Sequence, residues 1–184
     1  MRKVYLFMMI SLDGYFEGPN HDLSWHNTDE EFQEFALEQL NDTDTILFGR
    51  KTYEMMASFW PSEEAQKDDP VTAELMTSTP KVVFSKTLND VSWSNTKLVK
   101  GDAALEIKDL KAQPGKDIAI FGSNNLSVSL AEQGLVDGFR IMVNPVAIGE
   151  GTALFKGIKQ RLNLKLTDTR EFKNGNILLS YTNG

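Results

Sequence analysis

Short apolar runs separated by helical periods constrain this chain more than any other feature. Strand-length runs recur at 4–10, 45–48, 81–84, 97–99, 118–121 and 139–146. Between most of them, apolar positions repeat every three or four residues, the spacing of a helix with one buried face. Over 29–40 these positions are Phe32, Phe35, Ala36 and Leu40. Over 52–60 they are Tyr53, Met56, Ala57 and Trp60, and Pro61 closes the segment. A weaker helix over 102–112 stops at Pro114 and Gly115. Another, over 125–133, ends on Gly134, a favoured residue just past a helix C-terminus.

The last quarter follows a different rule. Leu162, Leu164 and Leu166 alternate with polar neighbours, the period of two of a half-buried strand. Asn174 and Gly175 form the dipeptide suited to a two-residue type I′ hairpin turn, and 177–181 returns as a second strand. Strands alternating with helices, then a hairpin, predict one α/β domain over 1–184, its mostly parallel sheet carrying an antiparallel edge. The stretch PSEEAQKDDP, 61–70, is the most polar and is expected as an exposed loop.

Composition removes several classes of function. The absence of cysteine excludes disulfides, thiolate catalysis and cysteine-ligated zinc. A formal charge of −7 opposes nucleic-acid binding, which depends on neutralising many phosphates, so any phosphate recognition has to be local. The apolar run at 4–10 is far too short for a membrane helix, and no small-residue cleavage site follows it. A first strand and a cytoplasmic location are expected. His21 and His26, with Asp22 beside them, lack a convincing further ligand, and no metal site is expected.

Three strand ends carry the functional signal. Ile46-Leu47-Phe48 stops on Gly49, and Arg50, Lys51 and Thr52 stand where a helix begins. A helix start at a strand's carboxyl end exposes N–H groups and a positive dipole end, and glycine lets a ligand reach the backbone. A phosphate suits such a place. The run at 118–121 likewise ends on Gly122, followed by Ser123, Asn124, Asn125 and Leu126, and the run at 81–84 ends on Ser85 and Lys86. Three such endings suggest one extended ligand with several phosphates. No G-x-G-x-x-G is present, so the usual dinucleotide fingerprint does not apply.

The series SLDG, ILFGRKTYE, VVFSK, IAIFGSNNL and LVDGFRIMVNPVAIGEGTALF resembles the dihydrofolate reductase fold. It is most similar to single-domain relatives of the reductase half of the bifunctional riboflavin-biosynthesis deaminase–reductase. The resemblance runs over about residues 3–182. It implies an eight-stranded mixed sheet flanked by helices and an NADPH site. Gly49, Arg50, Lys51 and Thr52 would hold the pyrophosphate and the adenosine 2′-phosphate. Ser85 and Lys86 would share the 2′-phosphate, and Gly122, Ser123, Asn124, Asn125 and Leu126 would wrap the pyrophosphate. The implied activity is hydride transfer to a small planar heterocycle, pterin-like or pyrimidine-like. A nucleotide-binding protein without chemistry of its own is the alternative.

For the proton that such a reduction needs, the resemblance points to Glu31, four residues before Phe35. Thr28 to Glu31 also reads as a capping box, in which Glu31 would bond back to the Thr28 backbone. Asp13, in the Ser11–Gly14 turn, would border the nicotinamide, although Asp-Gly is also a good turn pair. Ser11, Trp25, Asn144 and Pro145 are the corresponding candidates for substrate contact. The chain departs from the family in having Gly122-Ser123 where dihydrofolate reductases have Gly-Gly. It also lacks the cysteines of the zinc-binding deaminase. The segment GNILLSY is apolar on both faces, with Leu178 between Ile177 and Leu179. With the resemblance, it predicts a homodimer joined through the last strands.

Overall fold

Ile46, Leu47 and Phe48 are fully buried and face alternate sides of one sheet, which is therefore covered on both. The computed structural model describes residues 1–122 and 124–184. Its strands are Val4–Ser11 (β1), Tyr15–Glu17 (β2), Thr43–Gly49 (β3), Lys81–Phe84 (β4), Thr96–Val99 (β5), Asp117–Phe121 (β6), Gly138–Asn144 (β7), Thr152–Ala153 (β8), Leu164–Glu171 (β9) and Ile177–Asn183 (β10). Its helices are Glu30–Asn41 (α1), Arg50–Phe59 (α2), Glu63–Asp68 (α3), Pro70–Ser78 (α4), Ala103–Ala112 (α5) and Asn124–Glu132 (α6).

The main sheet has eight strands in the order β5-β4-β3-β6-β1-β7-β10-β9. From β5 to β7 every pairing is parallel, and β10 pairs antiparallel with both β7 and β9. This is the dihydrofolate reductase-like arrangement that the sequence implies. One face carries Leu6, Leu47, Val82, Ile118 and Ile120 under Ile107 of α5 and Leu130 of α6. The other carries Ile46, Phe48 and Val83 under Tyr53 of α2 and Met76 of α4. Fully burying a side chain of this size contributes roughly 1.5–3 kcal/mol. The continuous apolar runs thus supply both layers.

Several local expectations change. The polar 61–70 stretch is not a loop throughout, because Ser62 caps α3 by accepting from the Ala65 N–H, and Ala65 is buried. The next cap, Asp69 followed by Pro70 at the first helical position, starts α4, which periodicity did not indicate. β7 ends at Asn144 rather than 146, since Pro145 offers no N–H to continue the ladder. The hairpin turn is longer than type I′. Asn174 is not among the residues of positive φ, and only Gly175 in the turn is, at 90°. The Gly175 N–H bonds to the Phe172 carbonyl, and the Phe172 N–H bonds to that of Asn176. A three-residue connection with glycine in the left-handed region results.

Leu178 needs no partner chain to be buried. It packs with Met9, Phe35, Met142 and Phe172, covered by α1, while Ile177 on the opposite face is 41% exposed. Met142 is fully buried in the same cluster.

Lys81 is buried at the start of β4, where its ammonium closes the end of α4. Its Nζ donates to the carbonyls of Met76 (2.8 Å), Thr77 (2.9 Å) and Thr79 (2.7 Å) and lies 4.4 Å from the centre of a Trp93 ring. Helix C-termini leave carbonyls that a cation satisfies well. Lys81→Met removes those donors while keeping the stem's bulk. The expected loss is about 1–3 kcal/mol of unfolding free energy in urea. An unchanged midpoint would contradict this role.

Candidate active site

Parallel pairing brings the three suspected strand ends side by side. β4, β3 and β6 are neighbours, with Gly49 opposite Phe84 and Leu47 opposite Ile120. Ser85, Gly49 and Gly122 therefore emerge at one edge of the sheet. Gly49 is the N-cap of α2 and has no side chain to cap it, and the first turn of α2 holds no acidic residue. Gly122 has φ of 78°, and a Cβ there would stand 3.1 Å from Thr52 Cγ2. The two turns are packed against each other, and the positive φ together with this tight approach favours glycine.

Arg50 joins the β3 and β4 ends. Its Nε donates to Glu54 at 2.9 Å, and its Nη1 donates to Thr87 Oγ1 at 2.9 Å. Ser85 Oγ accepts from the N–H groups of Thr87 (3.2 Å) and Leu88 (3.0 Å), which shapes the turn that carries Lys86. Lys51 and Lys86 are exposed. Thr87 thus belongs to this cluster, and its sequence signal was its place two residues after the Ser85 strand end. On the β6 side, Asn125 is exposed and Leu126 half-buried in the first turn of α6. Asn124 is committed to structure, since its side-chain amide donates to the carbonyls of Ala153 and Leu154. Ser123 lies outside the described residues.

The ends of β1 and β7 are held differently. Ser11 is fully buried, donates to Asp13 Oδ1 at 2.6 Å and accepts from the Tyr15 N–H. Asp13 also accepts from the N–H groups of Ile148 (3.2 Å) and Gly149 (2.8 Å). The Ser11 hydroxyl, then the Gly149 and Ile148 amides, hold this exposed carboxyl below the usual aspartate range. Asn144, fully buried opposite Ser11, donates to the Ile10 carbonyl and accepts from the Asn27 N–H at 2.9 Å. Asn27 in turn exchanges bonds with Asn174, and its carbonyl accepts from Asn176. Four asparagines thereby lock the loop before α1 onto the hairpin turn, and Pro145 packs at Gly175. The side chains of Ser11 and Asn144 are engaged in this network, which is scattered over the chain and which no local motif marks.

A cavity of about 1010 Å³ opens between α1, α2 and the segment 16–28, and it meets the cluster of strand ends at Lys51, Thr52 and Gly122. Its apolar wall includes Phe7, Phe16, Phe32, Met56, Trp60 and Phe121. The rings of Phe7 and Phe121 stand edge to face, with centroids 6.2 Å apart. Glu17, His21, His26 and Thr28 supply polar groups. His21 Nδ1 lies 2.7 Å from Glu17 Oε2. Burial lowers the His26 pKa, so that ring is neutral near pH 7.

Glu31 is turned away from this cavity. Asp29, not Thr28, is the N-cap of α1, so the capping box does not form. The Glu31 carboxylate accepts from the Lys173 N–H at 2.9 Å and lies 3.8 Å from Arg170, clasping the hairpin to α1. On α1 the aromatic that lines the cavity is Phe32, and four residues before it stands Thr28. Trp25 stands behind His26, with ring centroids 4.5 Å apart, and bonds to the Asp22 carbonyl rather than lining the cavity.

Comparison with known proteins decides the family. The model of the RibD C-terminal domain matches residues 2–178. The chain belongs to that family. It is 37% identical over 183 residues to the uncharacterized protein YyaP of Bacillus subtilis (strain 168), covering 98% of this chain and 94% of YyaP. Among solved structures, it is similar to a putative riboflavin biosynthesis protein from Shewanella sp. PV-4, with a TM-score of 0.76, 24% identity and 99% of each chain covered. It also matches the deaminase/5-amino-6-(5-phosphoribosylamino)uracil reductase of Thermotoga maritima, with a TM-score of 0.72 and 14% identity. That match covers all of this chain and 57% of the Thermotoga protein. At these identities the structures establish the shared fold.

The Asp13 ties give a pH prediction. Its folded pKa is depressed, so the ties contribute stability above the ordinary aspartate pKa and lose it as pH falls through the folded value. Carboxyl titration followed by NMR should place Asp13 below the chain's ordinary aspartates, with the Gly149 amide shifting in step. An ordinary or raised value would contradict this geometry.

Proposed function

We propose that this RibD-family chain is an NADPH-dependent reductase that passes a hydride to a ring carbon of a small planar heterocycle, pterin-like or pyrimidine-like. The observation carrying this reading is that three strand ends are neighbours and that two of them, those of β3 and β6, open into an aromatic-walled cavity. The residues suit a dinucleotide phosphate. The α2 start at Gly49 and the first turn of α6 at Asn125 and Leu126 would face the pyrophosphate, through backbone N–H groups and dipole ends. Arg50, Lys51, Ser85 and Lys86 would take the 2′-phosphate, with the Arg50 fork already aimed across to Thr87. Lys51, Thr52 and Gly122 border both the cradle and the cavity, so a nicotinamide ring would enter the space that Phe7, Phe32 and Phe121 wall.

When bound, the cofactor supplies the hydride, and the chain's contribution is position and exclusion of water. The family and the reductase named in the Thermotoga protein support this class of reaction. One observation favours a second reading, binding without chemistry: the Glu31 and Asp13 carboxylates are both engaged by backbone N–H groups away from the cavity.

Titration at fixed ionic strength tests the cofactor assignment. NADPH is expected to bind on the order of tenfold more tightly than NADH, and Arg50→Ala should narrow the gap. Equal affinities would overturn the assignment. Oxidation of bound NADPH against a panel of pterins and pyrimidines separates the readings, since a protein without chemistry would leave the cofactor reduced.

A further inference from the structure

The charges around the cavity speak to the substrate's class, an inference that rests on the reductase reading. The charged side chains lining it are Glu17, Glu54, Asp68 and Asp69 against Lys51, and no arginine lines it among the described residues. Lys51 stands where the cavity meets the cradle, so the phosphates of a bound dinucleotide would neutralise it. The carboxylates are fixed by their partners. Glu17 accepts from Thr152 Oγ1 at 2.8 Å and faces His21, while Glu54 pairs with Arg50. Asp69 accepts from the Thr72 N–H to cap α4. Asp68, exposed at the end of α3, adds a further negative charge at the rim.

We propose that the substrate is an uncharged planar ring that carries no phosphate. The Thermotoga reductase is named for a phosphoribosyl pyrimidine, whose phosphate needs converging cations or backbone N–H groups. Once the cofactor occupies the cradle, the side chains of fixed charge that face a phosphate here are carboxylates, beside the polar groups of His21, His26 and Thr28 and the aromatic rings. Like charges in a space walled by low-dielectric side chains repel strongly. Flat aromatic rings, by contrast, fit an apolar wall of tilted and edge-on phenyl groups. The volume accommodates the nicotinamide end of a cofactor and one further ring system.

Isothermal titration of three probes tests the proposal: a pterin, a ribosylated aminopyrimidine, and the 5′-phosphate of that same nucleoside. Each is titrated with and without saturating NADPH. At least one phosphate-free ring is expected to bind roughly tenfold or more tighter than the phosphate. Asp68→Lys should narrow that gap, because it reverses a charge at the rim without touching the cradle. Equal or tighter binding of the phosphate, an unchanged gap in Asp68→Lys, or binding of none of the probes would overturn the proposal. NADPH affinity, measured separately, reports on the reductase reading. If NADPH fails to bind, that reading falls, and the cofactor-free titrations still decide what the cavity accepts.

Discussion

Parallel strands buried on both faces set the terms for the rest of this molecule. Because β5, β4, β3, β6, β1 and β7 all run the same way, their carboxyl ends share one edge, and each return path has to cross a face of the sheet. The helices that make those crossings bury Ile107 and Leu130 on one side and Tyr53 and Met76 on the other. Where α2 and α6 begin, their N-termini arrive together at the β3 and β6 ends. The contact of Gly122 with Thr52 records how close that meeting is. The proposed phosphate site rests on this topology, with Arg50, Lys51, Ser85 and Lys86 standing at the strand ends that it brings together.

The antiparallel edge has a different task. β10 and β9 extend the sheet past β7, and their turn is fastened to the loop before α1 by Asn27, Asn144, Asn174 and Asn176. Glu31 and Glu38 of α1 add ion pairs to Arg170 of β9. That loop also forms a wall of the cavity through Phe16, Glu17, His21 and His26. The hairpin therefore supports the cavity from behind without entering it.

Much of this was legible in the sequence, and the exceptions have physical causes. The apolar runs and the strand-end glycines are local signals, and the strands and the meeting of their carboxyl ends at one edge follow from them. The capping box at Thr28 does not form because Asp29 is the N-cap of α1. Neighbouring residues stand about 100° apart around a helix, so Phe32 lines the cavity while Glu31 meets the hairpin. α3 was hidden by its polarity and α4 by a weak apolar period, although Ser62 and the Asp69-Pro70 pair are good starting signals. The asparagine network and the cavity wall draw on residues more than a hundred positions apart, and nothing in a local window announces them.

The central claim is that three neighbouring strand ends form one site for a dinucleotide phosphate. Backbone amide shifts followed by NMR during NADPH addition test it most directly. The largest changes should fall together at Gly49 to Thr52, Ser85 and Lys86, and Gly122 with Asn125 and Leu126. Amides of the β9–β10 hairpin should move little. Saturable changes confined to the hairpin, or to one strand end while the other two stay still, would contradict the account.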